Sequence, residues 1–204
     1  MLGIKNYKPV FYGDSLEFIK NHGNRLRSMV NKNLCGMWTV HEVSSGEFWG
    51  DCPVVLLIGG QQLEFCSFKD QIAVSWNAID VNESIIWYGS RDLRLEWRKN
   101  AIKGTSAFTG SPVEGADLIE TAQGGHSSTL KGLGLKTAKG YISLFNEFDE
   151  TVLALKKMKS VFIQKSKPFP KGAYHEKSLD IDYRPFPFLS HRFHDYRNLH
   201  DQTV

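Results

Sequence analysis

Residues 63–80, LEFCSFKDQIAVSWNAID, decide the fold, because they describe a complete β-hairpin that a later stretch repeats. Residues 133–149, LGLKTAKGYISLFNEFD, follow the same order of alternating apolar residues, a lysine-containing turn, a second alternating strand, and an Asn followed three residues later by an Asp. Such alternation is typical of strands with one buried face. The sequence therefore predicts two related hairpins, which turn at Lys69-Asp70 and at Lys139-Gly140.

Each predicted hairpin places four apolar side chains on one sheet face. They are Leu63, Phe65, Ile72 and Val74 in the first hairpin, and Leu133, Leu135, Ile142 and Leu144 in the second. Asn77 with Asp80, and Asn146 with Asp149, are expected to end the hairpins, because Asn and Asp bond their own backbone in turns. The alternative is that Asp80 and Asp149 pair for acid-base chemistry, if the two hairpins face one another.

An amphipathic helix is predicted from Asp14 to Val30, with Asp14 and Glu17 placed as a capping box. Short segments rich in β-branched and aromatic residues follow, bounded by turn-forming residues. They cover 35–43, 53–58, 61–68, 71–77, 84–88 and Arg91–Lys99. Residues 100–129 contain five glycines and little periodicity, which predicts a long loop. Strands or a short helix are expected near 151–164.

These elements predict an α+β fold, in which the N-terminal helix packs on a mainly antiparallel sheet of two related hairpin units. Residues 1–164 would form one domain, and residues 165–204 an irregular, extended C-terminal segment rich in aromatic, basic and proline residues. The charge is divided accordingly. Residues 1–150 carry 15 Lys and Arg against 17 Asp and Glu, whereas residues 151–204 carry 10 against 5.

The composition, with 41% hydrophobic and 12% aromatic residues, is that of an ordinary globular protein. The apolar run at 53–58 is too short to cross a bilayer, and the N-terminal residues lack the features of a secretory signal. We therefore expect a cytoplasmic protein without membrane association. Cys35, Cys52 and Cys66 form no C-x-x-C pair, so buried reduced thiols are expected in preference to a disulfide or a zinc site.

No motif in the sequence anchors a catalytic mechanism, and we predict no catalytic residue, no bound metal and no cofactor. G-x-S-x-G, H-E-x-x-H and the phosphate-binding glycine motifs are absent. His191, His194 and Asp195 offer ligands for zinc, manganese or iron, so a metal-dependent hydrolase or nuclease is the alternative function. The scattered lysines of the C-terminal segment predict at most weak nucleic-acid binding, which is a third possibility.

The stretch from Trp49 to Asn100 resembles small Firmicute-type immunity proteins that accompany polymorphic or contact-dependent toxins. Its recognisable elements are Asp51-Cys52-Pro53, Leu63-Glu64-Phe65, Trp76-Asn77-x-x-Asp80 and Leu95-Glu96-Trp97. The resemblance covers about a quarter of the chain, and the second hairpin repeats it more loosely. It implies a non-enzymatic cytoplasmic protein that neutralises a cognate protein toxin by direct binding.

Interfaces concentrate their binding energy in a few aromatic and charged residues, which suggests where a partner would bind. Trp38 and Trp76 lie within predicted strands and are expected in the core. Six residues are predicted to bind the partner: the edge aromatics Trp49, Trp87 and Tyr88, and the acidic neighbours Asp51, Glu83 and Asp92. The acidic residues would face a basic toxin surface and speed its encounter.

Overall fold

A computed structural model describes residues 3–87, 93–123 and 127–158 of the 204-residue chain. This part contains one α-helix, α1 (Ser15–Ser28), and one short 3-10 helix at Thr105–Phe108. Its strands are β1 (Phe11–Tyr12), β2 (Leu34–Glu42), β3 (Val54–Ile58), β4 (Gln61–Phe68), β5 (Gln71–Trp76), β6 (Leu95–Lys99), β7 (Val113–Gln123), β8 (Ser127–Thr137), β9 (Gly140–Glu147) and β10 (Glu150–Ala154). The protein is therefore mostly antiparallel sheet with a single helix.

The strands form two sheets, whereas the sequence predicted one. The six-stranded sheet has the order β1-β5-β4-β3-β2-β6, and the four-stranded sheet has the order β10-β9-β8-β7. The first predicted hairpin is β4–β5 in the larger sheet, and the second is β8–β9 in the smaller one. The reason is that each hairpin has one apolar face. Two separate sheets can pack these faces against each other, whereas side-by-side pairing in one sheet would leave both faces uncovered.

The core lies between the two sheets and confirms the predicted apolar faces. All eight residues belong to one buried cluster: Leu63, Phe65, Ile72, Val74, Leu133, Leu135, Ile142 and Leu144. None of them is more than 3% exposed. Burial of such side chains contributes roughly 1.5–3 kcal/mol each relative to the exposed state. The repeated hairpins are thus the two halves of one core.

Two-residue turns set the register of the hairpins. Gly59 and Gly60, between β3 and β4, have φ of 56° and 84°. Positive φ at both turn residues gives a hairpin turn whose twist matches that of the two strands it joins. The turn between β4 and β5 is Lys69-Asp70, as predicted. Between β8 and β9 the turn residues are Ala138-Lys139, one position earlier than predicted, and Gly140 already pairs as the first residue of β9.

Helix α1 begins as the capping box predicts and packs on the same core. The carboxylate of Asp14 accepts a hydrogen bond from the backbone N–H of Glu17 at 2.8 Å, which satisfies one of the free donors of the first turn. Phe18 and Leu26 are buried with the strand residues of the core. The helix therefore closes one side of the space between the sheets.

Two predictions about loops and strands were wrong. The predicted long loop at 100–129 contains β7, an 11-residue strand paired along its length with β8. Its sequence, VEGADLIETAQ, has few β-branched or aromatic residues, so pairing rather than propensity determines its structure. Conversely, residues 84–87 of the predicted strand at 84–88 do not form a strand. They lie in the segment that covers the outer face of the larger sheet.

That outer face is buried by residues from outside the sheet. The N-terminal segment and the segment after β5 supply these residues. They are Ile4, Tyr7 and Ile79, which pack on Val55, Cys66 and Ala73. Ile85 and the side chain of Trp97 join the edge of this cluster. The segment from 77 to 87 is thereby held against the sheet, and this contact places Trp87 near β2 and β6.

One buried carboxylate lies beneath this cover. Glu64 is fully buried and accepts hydrogen bonds from the Ser75 hydroxyl at 2.6 Å, the Ala78 backbone N–H at 2.9 Å and the Gln62 amide at 3.2 Å. Gln62 also donates to the carbonyl oxygen of Ile79 at 2.7 Å. Buried polar groups need such partners, so this network fixes the path of the chain that leaves β5.

The cysteines divide into two kinds, which corrects part of the prediction. Cys52 and Cys66 are buried free thiols, as expected, but Cys35 is exposed. Its exposure follows from a β-bulge, because the pairing of β2 with β3 shifts register between Leu34 and Gly36. The extra residue at the bulge leaves the alternation and points away from the core.

No helix in the described ranges is long and apolar enough to cross a membrane. The predicted domain boundary at 164/165 and the whole C-terminal segment lie outside the described residues.

Candidate partner-binding surface

Trp49 and Trp87, two of the predicted partner-binding residues, lie in contact. Their ring centroids are 5.6 Å apart and the rings are nearly perpendicular, at 79°. Edge-to-face packing of this kind is a favourable geometry for two aromatic rings. Both side chains are partly buried. The fold thus joins two residues that are 38 positions apart in the sequence.

The chain after β2 fixes the position of Trp49. Its backbone N–H donates to the carbonyl oxygen of Val40 at 2.8 Å, and its carbonyl oxygen accepts from the N–H of Cys52 at 3.2 Å. The neighbouring Phe48 forms an isolated bridge with His41 of β2. The backbone of this loop is therefore tied to β2 at Phe48 and Trp49, and it turns on itself between Trp49 and Cys52.

The two rings belong to a small apolar group, which we call the tryptophan cluster. It comprises Trp49, Trp87 and Trp97 with Val40, Cys52, Ile85, Leu93 and Leu95. Among the described residues, the indole N–H groups of Trp49 and Trp97 are buried without a hydrogen-bond acceptor. An unsatisfied buried donor costs about 1–3 kcal/mol. The cluster is therefore packed, but its polar atoms are not fully satisfied.

Three carboxylates gather beside Trp49, where the loop after β2 meets the start of β10. The backbone N–H of Thr151 donates to the carbonyl oxygen of Gly50 at 2.8 Å, which holds the two segments together. Burial, and then the charge of Asp149, raise the pKa of Asp51. Burial, and then the charge of Asp51, raise the pKa of Glu150. None of the ion pairs formed among the described residues includes these three acids.

Of the other three predicted partner-binding residues, the described ranges include only Glu83, which is not among the residues of this group. Glu83 forms an exposed ion pair with Lys5 of the N-terminal segment, with 3.0 Å between Lys5 Nζ and Glu83 Oε1. Tyr88 and Asp92 lie outside the described residues. The predicted set therefore reduces here to Trp49, Asp51 and Trp87.

Asp149 and Glu150 were missed as members of this surface. The sequence places them 98 or more positions after Asp51, and only the pairing of the two sheets brings them close. The sequence offers one weak indication, because Asp149 was expected at the end of the second hairpin and is acidic. No local pattern indicates that the loop after β2 meets that end of the hairpin.

The alternative pairing of Asp80 with Asp149 finds no support in the positions of the two residues. Asp80 accepts hydrogen bonds from the backbone N–H and the side-chain amide of Asn82, both at 2.9 Å. It therefore closes its own turn, as the turn interpretation predicts. Asp149 instead lies close enough to raise the pKa of Asp51.

Cys52, Cys66 and His41 are poorly suited to nucleophilic chemistry. Burial raises the pKa of the Cys52 thiol above its ordinary value, and it raises the pKa of the Cys66 thiol to about 12. Both thiols therefore stay protonated at neutral pH, and the thiolate is the reactive form. The ring of His41 is bonded to the Thr39 hydroxyl at 2.9 Å and to the carbonyl oxygen of Gly46 at 3.0 Å, which gives it a structural role.

Within the described residues, no group of three or more His, Cys, Asp and Glu side chains is arranged to hold a metal ion. The His191, His194 and Asp195 cluster, on which the hydrolase alternative depends, lies outside those residues.

Comparison with known proteins adds no assignment: no family model, curated protein or solved structure matches this chain.

Proposed function

We propose that this chain is a non-enzymatic binding protein, and that it acts as an immunity protein that neutralises a cognate bacterial toxin by direct contact. The contact surface would be centred on Trp49 and Trp87, with Asp51 beside them. The observation that supports this most is the packing of the two rings, with centroids 5.6 Å apart, next to three carboxylates that no described cation neutralises.

The tryptophans would supply the central anchor. Both are only partly buried, so each ring keeps surface that a partner can cover. Trp residues are enriched at the centre of interfaces, where they bury a large area at small cost in side-chain entropy. A partner acceptor could also take the unpaired indole N–H of Trp49 after a small shift of the ring.

The carboxylates would select the partner. Burial raises the pKa of Asp51 and of Glu150, and repulsion adds to it, from Asp149 on Asp51 and from Asp51 on Glu150. Lys or Arg side chains of a partner would relieve that repulsion, and opposite charges speed association. Residues 1–150 carry more acidic than basic residues, which would also attract a basic partner. The proposed toxin therefore presents a basic surface at the contact.

Co-expression with the product of the adjacent gene tests the proposal. If that product is toxic, we expect this chain to restore growth, and purified proteins to form a complex by calorimetry. A charge-reversed Asp51→Lys/Glu150→Lys variant should lose the rescue while remaining folded. Lack of toxicity in the neighbouring product, or a full rescue by the charge-reversed variant, would count against the proposal.

A further inference from the structure

The chain leaves β10 by crossing the outer face of the four-stranded sheet, away from the core. Ser143 of β9, which is fully buried, donates through its hydroxyl to the carbonyl oxygen of Lys156 at 2.8 Å. The same hydroxyl oxygen accepts from the backbone N–H of Met158 at 3.4 Å. These bonds hold residues 156–158 against the sheet and place the side chain of Lys157 above it.

A buried carboxylate lies on this face with one oxygen unpaired. Asp117 of β7 is only 9% exposed, and its Oδ2 accepts from the Tyr141 hydroxyl at 2.8 Å. Burial, and then this bond to Asp117, raise the pKa of Tyr141, so the hydroxyl remains a donor. The other oxygen, Oδ1, is buried and has no donor. Buried charged groups normally have their hydrogen-bonding capacity filled, so this oxygen lacks a partner.

Lys157 approaches this carboxylate without bonding to it. Its Nζ is 4.0 Å from Oδ2 of Asp117 and 5.4 Å from the centre of the Tyr141 ring. An N–H···O hydrogen bond needs about 2.7–3.2 Å between the heavy atoms, so the ammonium contributes charge and a cation–π contact only. The side chain of Lys157 is 49% exposed, whereas that of Asp117 is 8% exposed. The cation can therefore be displaced, and the carboxylate cannot.

We propose that Asp117 and Tyr141 form a binding site for an ammonium or guanidinium side chain, which the chain's own Lys157 occupies loosely in this structure. The ligand class is a Lys or Arg side chain of a polypeptide, with Arg preferred. The site lies on the smaller sheet and does not depend on the proposed toxin contact, so either can fail alone.

The chemistry of the site favours a guanidinium. A guanidinium presents two parallel N–H groups, which match the two oxygens of a carboxylate, and its flat face stacks on an aromatic ring. Lys136, whose pKa is raised mainly by Glu114 and slightly by the charge of Asp117, pairs with Glu114 at 2.8 Å between Nζ and Oε2. It therefore leaves Oδ1 of Asp117 without a donor. One carboxylate and one phenol are too few ligands for a metal ion.

Nuclear magnetic resonance titration of the full chain with acetyl-arginine amide tests this site. The matched control ligand is acetyl-citrulline amide, which has the same shape but no charge. Lys157→Ala removes the resident cation, so we expect saturable shifts at the amides of residues 156–158, with an affinity at least about tenfold above that of the wild type. Adding Asp117→Asn to that variant should abolish the shifts.

Two outcomes would overturn the proposal. One is the absence of saturable binding to Lys157→Ala, and the other is equal binding of the citrulline ligand or equal binding by the Asp117→Asn double variant. Should Asp117→Asn fail to fold, thermal melting of Lys157→Arg and Lys157→Gln decides the question. The Arg variant should melt above the wild type and the Gln variant below it. Equal melting of the two would reject the site.

Discussion

The side-chain amide of Asn146, on the second hairpin, donates a hydrogen bond to the carbonyl oxygen of Gln71, on the first, with 3.0 Å between nitrogen and oxygen. The same amide nitrogen also donates to the carbonyl oxygen of Lys69 in the turn between β4 and β5. Asn146 is only 8% exposed. Its amide oxygen accepts from the backbone N–H of Asp149 at 3.2 Å, so Asn146 ends its own hairpin as predicted and also connects it to the other one.

Replacement of Asn146 by Ala should destabilise the protein by about 1–3 kcal/mol, because two backbone carbonyl oxygens lose their hydrogen bonds to this buried amide. Asn146→Asp should cost at least as much, since a carboxylate cannot donate to carbonyl oxygens. Urea denaturation measures both changes. The matched control is Asn77→Gly, at the corresponding place in the first hairpin, where φ is 54° and the amide oxygen accepts only from the exposed Gln62 N–H.

Glycine adopts the backbone conformation of Asn77 without strain, so this control should change stability by less than about 1 kcal/mol. If Asn77→Gly proved as damaging as Asn146→Ala, the connection between the hairpins would not explain the result.

The contrast between the two Asn residues shows what sequence can and cannot predict here. Both hairpins and all eight core residues follow from period-two alternation, which is a local property. The turn at Lys69-Asp70 follows in the same way. The partner of Asn146 is 75 residues away, and no local pattern encodes it. Local pattern therefore predicted the strands of the two hairpins. Packing between the hairpins determined that there are two sheets and how they are arranged.

The candidate surface was predicted to a similar extent. Edge aromatic residues indicated Trp49 and Trp87, and the structure places their rings in contact. Asp51 was predicted as their acidic neighbour, but Asp149 and Glu150 could not be, because they reach Asp51 only through packing between the sheets. The strand β7 was missed for a related reason, since its residues are weak strand formers that depend on β8.

A glycine in β8 supports the arrangement of Asp117 and Tyr141. A Cβ atom at Gly134 would overlap the hydroxyl and ring of Tyr141, which lies across the strand at that point. Gly134→Ala should therefore destabilise the protein by about 1–3 kcal/mol, because the ring must move and its bond to Asp117 is lost. Thermal or urea denaturation measures the change.

Gly13→Ala is the matched control for Gly134→Ala. A Cβ at Gly13 would meet only side-chain atoms of Gln71 at 3.8 Å, an ordinary contact, and its φ is not in the left-handed region. Its stability should change by less than about 1 kcal/mol, since the main effect is lower entropy of the unfolded chain. A Gly134→Ala variant as stable as this control would show that Tyr141 has room to move.

The carboxylates near Trp49 make a prediction about pH. The folded-state pKa of Asp51 is raised, so its ionised form destabilises the fold at neutral pH, and this cost disappears as the pH falls through the raised pKa. Asp51→Asn should therefore melt above the wild type at pH 7. The difference should shrink as the pH falls below that pKa, as melting curves between pH 7 and 3 would show.

Asp70 provides a control of opposite sign. A hydrogen bond and the charge of Lys131, with 2.7 Å between Nζ and Oδ1, lower the pKa of this exposed carboxyl. The ionised form therefore stabilises the fold, and that contribution is lost as the pH falls through the lowered pKa. Asp70→Asn should melt at or slightly below the wild type at pH 7. Similar responses of Asp51→Asn and Asp70→Asn to pH would contradict the raised pKa of Asp51.

The proposed toxin contact predicts a separation between stability and binding among the tryptophans. Trp76 packs on the core, and its indole N–H donates to Nδ1 of His22 at 3.1 Å. Its side chain is partly buried, so Trp76→Ala should lower the free energy of unfolding by roughly 2–3 kcal/mol, less than for a fully buried ring. Its affinity for the partner should remain unchanged once the variant is folded.

Trp49→Ala and Trp87→Ala should show the reverse. Both rings pack in the smaller tryptophan cluster and not on the main core, and the indole N–H of Trp49 has no acceptor there. The loss of stability should therefore stay below that of Trp76→Ala, and the loss of partner affinity should exceed about 2 kcal/mol. Because the rings touch, the double variant should lose less affinity than the two single losses combined. Calorimetry of unfolding and of binding on the same preparations measures both quantities. If Trp49→Ala and Trp87→Ala destabilise as much as Trp76→Ala and bind the partner normally, the tryptophan cluster is a structural core and the contact must lie elsewhere.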